Sequence, residues 1–180
     1  MGWEALEQAV QACRACDLCT SRRQAVFGVG HRQASWMIVG EAPGAEEDAR
    51  GEPFVGPSGQ LLDAMLAALG LTRQATGEPG QRVYIANTLK CRPPSNRNPQ
   101  PAELQRCQPF LRRQIELVQP RLVVAMGRFA AQALLGSTEP IGQLRGRIHK
   151  GPTGPVVVTY HPSYLLRSPA EKAKAWSDLC

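Results

Sequence analysis

Four short apolar runs constrain this chain most: W-M-I-V at 36–39, V-Y-I-A at 83–86, L-V-V-A-M at 122–126 and V-V-V-T at 156–159. None alternates with polar residues, so each needs cover on both faces. The segments between them carry helical spacing. Leu61, Leu62, Met65, Leu66 and Leu69 share one face. Leu104, Cys107, Leu111, Ile115 and Val118 share another, behind a first-turn Pro101 with Glu103. Shorter helices are expected over 3–12, 128–135 and 170–179. Strands alternating with helices predict an α/β fold, a three-layer α/β/α sandwich with a central four-stranded parallel sheet, in one domain over residues 1–180. Such sheets bind ligands beyond the carboxyl ends of their strands. Here those ends carry Glu41, Asn87, Gly127 and His161.

The longest strand-end loop is G-E-A-P-G-A-E-E-D-A-R-G-E-P-F-V-G-P-S-G, residues 40–59. It concentrates acids in a chain of net charge +6 and holds an aromatic, Phe54, between Pro53 and Val55. A solvated linker has no use for that aromatic, whereas a binding loop does. Two other loops stand out: T-L-K-C-R-P-P-S-N-R-N-P-Q-P at 88–101, kept extended by its prolines, and Y-H-P-S-Y-L-L-R at 160–167. A polar loop over 72–81 turns at Gly77, Pro79 and Gly80. A basic, glycine-rich loop is expected over 141–154.

The basic balance, with a pI near 9.3, favours an anionic partner such as nucleic acid. The start M-G-W-E-A-L-E has neither the positive region nor the apolar core of a signal peptide, and no apolar run approaches the ~20 residues that span a bilayer. The expectation is a cytoplasmic protein with no membrane partner. In a reducing compartment its six cysteines read as metal ligands or core residues before disulfides. Cys13 and Cys16 form a C-x2-C pair. Cys91, between Lys90 and Arg92, and Cys107 are the pair that completes it. Four thiolates suit zinc or a [4Fe-4S] cluster, and spacing does not separate the two. Cys19 extends the run to C-x2-C-x2-C and offers an alternative ligand.

The early C-x2-C, G-E-A-P-G at 40–44, E-D at 47–48, P-F-V-G at 53–56, Y-I-A-N at 84–87, K-C-R-P-P at 90–94, Cys107 and H-P-S-Y-L-L-R at 161–167 occur together and in order. In these motifs the sequence resembles the family 4 uracil-DNA glycosylases, the iron-sulfur members of their superfamily, over nearly its whole length. The resemblance implies a monofunctional glycosylase that binds uracil-containing DNA, releases uracil and leaves an abasic site. It implies a [4Fe-4S] cluster on Cys13, Cys16, Cys91 and Cys107, and it decides iron-sulfur over zinc. A monomer is expected. The alternatives are a uracil-crosslinking or non-catalytic iron-sulfur DNA-binding relative. A nucleotide-binding hydrolase is disfavoured because no GxxxxGK[ST] motif is present.

Uracil excision places positive character on the sugar and negative charge on the departing ring, so the site has to hold a flipped base and stabilise both charges. By the resemblance, His161 donates to uracil O2 and Phe54 stacks on the base. Asn87 can pair with N3–H and O4, a pattern that cytosine reverses. Glu41 orients water or opposes the sugar's charge, and Glu47 guards the base or assists the water. Gly40 and Ala42 flank Glu41 as substrate-binding positions, Ala42 standing where the wider superfamily often has aspartate. Ser58, Ser163 and Arg167 are expected on phosphates, and Leu165 as an apolar wedge. Arg92, Arg97, Arg145, Arg147 and Lys150 are candidates for a flanking basic track.

Overall fold

The computed structural model describes residues 1–74 and 78–180. Gly77, read from sequence as a turn, lies outside the described residues. In chain order the helices are α1 (Trp3–Gln11), α2 (Leu18–Ser21), α3 (Ala45–Arg50), α4 (Pro57–Ala68), α5 (Pro101–Val118), α6 (Arg128–Leu135), α7 (Ile141–Leu144), α8 (Pro162–Arg167) and α9 (Lys172–Leu179). The strands are β1 (Val29–Gly30), β2 (Trp36–Gly40), β3 (Val83–Asn87), β4 (Leu122–Met126), β5 (Ile148–Gly151) and β6 (Gly154–Thr159).

The four expected strands form the parallel centre, β3-β2-β4-β6. The sheet is six-stranded rather than four-stranded, because β1 pairs antiparallel with β3 and β5 pairs antiparallel with β6. Part of the expected basic loop over 141–154 is thus the edge hairpin β5–β6. Its exposed, alternating residues carry none of the apolar continuity that betrays a central strand.

Successive residues of the central strands serve opposite faces. Met37, Val39, Tyr84, Ala86, Val123 and Ala125 pack beneath Leu111, Ile115 and Val118 of α5 and Ala130, Ala131 and Leu134 of α6. Ile38, Val83, Ile85, Val124 and Met126 pack against Leu62 and Leu66 of α4 and Leu179 of α9. This is the three-layer sandwich. Each leucine buried on these faces contributes roughly 1.5–3 kcal/mol. Helix α4 starts with Pro57 at its first position, where a missing N–H costs nothing, and gives way at Gly70, whose φ of +73° suits a residue without Cβ. Helix α5 is capped by Glu103, which accepts the Gln100 N–H at 2.8 Å. Against α5, Leu6 and Val10 of α1 join Ala25 and Phe27 in a smaller apolar cluster.

Candidate active site and cysteine centre

The register of β2 against β3 sets Gly40 opposite Asn87. Beyond the sheet the pairing continues: Thr88 donates N–H and Oγ1–H to the Gly40 carbonyl at 3.0 and 2.9 Å, and Leu89 N–H donates to the Glu41 carbonyl at 2.9 Å. Gly40 has no room for a side chain, because a Cβ there would lie 2.5 Å from both Asn87 Oδ1 and Phe54 Cζ. Asn87 and Phe54 therefore meet over this glycine. Asn87 is 2% exposed, and its Oδ1 is buried without a hydrogen-bond partner. A buried acceptor in that state costs about 1–3 kcal/mol until something donates to it.

Phe54 holds φ at +54°, a conformation unfavourable for a bulky residue. Two neighbours impose it. Arg73 donates Nη1–H to the Pro53 carbonyl at 2.8 Å and Nη2–H to the Phe54 carbonyl at 2.9 Å, while its Nε–H meets Asp63 at 2.9 Å. Gly59 lies so close that a Cβ would stand 1.9 Å from the Phe54 carbonyl oxygen. The Phe54 ring stacks on His161, with centroids 5.3 Å apart and planes at 26°.

His161 precedes α8 at the end of β6. Its Nδ1 accepts from the Ser163 N–H at 3.1 Å and lies 2.8 Å from Ser163 Oγ. With Nδ1 an acceptor, the neutral ring carries its hydrogen on Nε2. Burial, helped by the positive charge of Arg167, pushes the imidazole from 6.5 down to about 4, and Glu47 opposes this.

Glu41 leaves β2 and crosses to the start of α6. Its Oε2 accepts from the Phe129 N–H at 3.3 Å. Gly127 makes the approach possible: its φ is +94°, and a Cβ would come within 2.7 Å of Glu41 Oε2. Burial raises the Glu41 carboxyl above its usual range, against the Phe129 N–H and the charges of Arg128 and Arg167.

Glu47 stands differently from the sequence expectation. Its Oε1 accepts from Gly44 N–H at 3.0 Å, and its Oε2 accepts from Val55 and Gly56 N–H at 2.9 and 3.0 Å. Both oxygens are engaged in tying α3 to the far end of its own loop. Leu165 is corrected outright. It is 0% exposed, packed beside α4, while the next residue, Leu166, is 44% exposed. A side chain inside the core cannot act as a wedge. Ser58 lies half-buried in the first turn of α4, Ala42 packs beside the Leu18–Leu89–Cys91 cluster, and Arg167 is exposed at the end of α8. The basic track loses members to internal pairing. Arg97 makes two bonds to Glu103, at 2.8 and 2.7 Å, and Arg145 pairs with the buried Asp178 at 3.0 Å. Sequence reading missed Arg73 and Arg128, whose roles depend on contacts across the fold. Their one visible signal was position: Arg128 directly follows the strand-end Gly127.

The cysteines gather around Leu89–Cys91, in the loop that follows β3. Cys13, Cys16, Cys19, Cys91 and Cys107 line one small cavity with Arg22, Leu89, Lys90, Arg106 and Phe110. Among the described residues, no three His, Cys, Asp or Glu side chains close on a single-ion site. The donor set nonetheless suits a thiolate-bound metal group. Arg22 Nη1 lies 3.0 Å from Cys91 Sγ, and the Lys90 N–H donates to Cys107 Sγ at 3.4 Å, contacts that favour sulfur bearing negative charge. Burial pushes the Cys107 thiol up to about 11, so its thiolate form needs a cation beside it.

The ends of β2, β3 and β6 thus bring together a stacking ring, an unpaired acceptor and a directed N–H donor, with the half-buried carboxylate of Glu41, next in sequence to Gly40, at the start of α6. The sequence model of the Uracil DNA glycosylase superfamily matches residues 27–180, and the chain belongs to that superfamily. Within it, the chain is similar to type-4 uracil-DNA glycosylases. It is 41% identical to that of Archaeoglobus fulgidus over 177 residues, covering 94% of this chain and 85% of the relative. It is 40% identical to that of Pyrobaculum aerophilum, covering 99% and 92%. It is 41% identical to that of Thermotoga maritima, covering 92% and 83%.

Proposed function

We infer that this chain is a monofunctional uracil-DNA glycosylase that hydrolyses the bond between C1′ and N1 of a flipped deoxyuridine in DNA. The observation that carries this reading is the unpartnered Oδ1 of Asn87. Uracil N3–H supplies the missing donor, and the Asn87 amide can in turn donate to O4. Cytosine offers an acceptor at N3 and a donor at its exocyclic amine, so both contacts become repulsive. Phe54 stacks on the base.

As the glycosidic bond breaks, its electron pair moves into the uracil ring. His161 Nε2–H donates to O2, where the charge collects. Its neutral state leaves it a hydrogen-bond donor rather than a proton source at pH 7. Ser163, bonded to Nδ1, fixes the ring orientation. Glu41 opposes the positive charge on the sugar and accepts a proton from the water that attacks C1′. Glu47 serves by bracing the loop that carries Phe54. Leu166, exposed beside the buried Leu165, is the apolar wedge into the gap left by the base. Arg167, Arg128 and Ser58 face phosphates. Every group comes from one chain, so a monomer suffices.

Cys13, Cys16, Cys91 and Cys107 would hold the [4Fe-4S] cluster, with Cys19 beside them. With four thiolates on it, the cluster supplies a structural tie rather than a substrate position.

The test is an oligonucleotide with one deoxyuridine, incubated with the protein and treated with alkali. Cleavage at that position is expected, and Asn87→Ala lowers kcat/KM by about 100-fold. An intact strand sinks the reading.

A further inference from the structure

We propose that Lys90 is a positioning residue for uracil recognition, coupling the cysteine centre to Asn87. This rests on reading Asn87 as the group that recognises the base. Lys90 is 1% exposed, an unusual place for an ammonium group. Its Nζ donates to the Asn87 carbonyl at 2.8 Å and to Gln114 Oε1 at 2.6 Å. Gln114 passes the connection on, donating Nε2–H to the Phe27 carbonyl at 2.8 Å and to the Tyr84 hydroxyl at 3.3 Å. The Lys90 main chain is equally engaged: its N–H donates to Cys107 Sγ at 3.4 Å, and its carbonyl accepts from Val26 N–H at 2.7 Å.

Cys107 and Gln114 stand seven residues apart on α5, two turns along one face. Lys90 grips the first through its backbone and the second through its side chain. Between those two points it holds the carbonyl of Asn87, whose own amide Oδ1 awaits the base. The next two residues, Thr88 and Leu89, are latched to Gly40 and Glu41. A displacement of Cys107 therefore moves Lys90, and Lys90 moves the residue that reads uracil. A methionine would fill the same volume without burying a charge. What lysine adds is the pair of donated bonds.

The test uses the holoprotein and free uracil as probe. In Lys90→Met the inhibition constant for uracil rises about tenfold, while affinity for an oligonucleotide with an abasic site, which makes no contact with Asn87, stays as in the parent. A merely structural loss would weaken both. Saturation with uracil alters the visible spectrum of the bound cluster in the parent and leaves it unaltered in Lys90→Met. Gln114→Met, which removes the acceptor on α5 and keeps the lysine, gives a smaller rise in the uracil constant and serves if Lys90→Met does not fold. Unchanged uracil inhibition in Lys90→Met or Gln114→Met, beside a loss in Asn87→Ala, overturns the coupling and leaves the base site standing. Unchanged inhibition in Asn87→Ala overturns both. A parent spectrum indifferent to uracil overturns the link to the cysteines.

Discussion

His161 is neutral at pH 7 for two reasons that substitution can separate, burial and the nearby charge of Arg167. The same arginine favours the ionised form of Glu41. Arg167→Gln therefore raises both values: removing a positive charge lets the imidazole take a proton more readily and lets the carboxyl keep one longer. Protonating either group removes an active form, so the acid limb of the kcat/KM profile moves to higher pH. Since Arg167 is exposed, the difference between variant and parent shrinks with added salt. A limb at the same pH in both proteins at low salt would show that Arg167 acts elsewhere. The stability sign is also set. The folded value of His161, about 4, lies below the unfolded 6.5. The unfolded chain takes up that proton first, and the contribution, present above 6.5, is lost as pH falls toward 4.

At the scale of elements, the left-handed turn at Phe54 depends on α4 more than on its own loop. Gly59 of α4 makes room for the Phe54 carbonyl, and Arg73, beyond the helix, bonds it. Gly59→Ala forces the turn open. Stability falls by about 1–3 kcal/mol in urea denaturation, and, with the base stacking on Phe54 as proposed, KM rises because the ring is displaced. An unchanged KM would remove Phe54 from the base site. The central strands and long helices were legible in the sequence, since unbroken apolar runs and regular faces survive any context. The four strand-end positions Glu41, Asn87, Gly127 and His161 were legible for the same reason. The short pieces were not. β1 has two residues, α3 hides in an acidic loop, and α8 has six, with Pro162 at its first position. So short a helix has too few turns to reveal in sequence that Leu165 faces inward and Leu166 outward. The engagement of Glu47 by three backbone amides was equally invisible, because backbone donors leave no trace in side-chain chemistry.

Across the whole molecule, the amino-terminal segment is held by the apolar cluster of α1 against α5 and, with the proposed cluster bound, by the cysteine centre as well. Cys107→Ser removes the second hold. On the proposed cluster assignment, bound iron falls, and limited proteolysis cuts first between residues 12 and 24, while circular dichroism still reports the sheet. Cleavage spread evenly over the chain would show that the centre supports the entire fold instead. The order of the site residues along the chain has a consequence for synthesis. Glu41 and Asn87 leave the ribosome first, at the ends of two neighbouring strands, yet His161 follows β6, which pairs beside β4 at the far side of the central four. In the proposed mechanism, a nascent chain exposed as far as β4 has the base reader and the carboxylate, but no donor for the departing ring. Base excision by the proposed mechanism therefore waits for the docking of β6 beside β4.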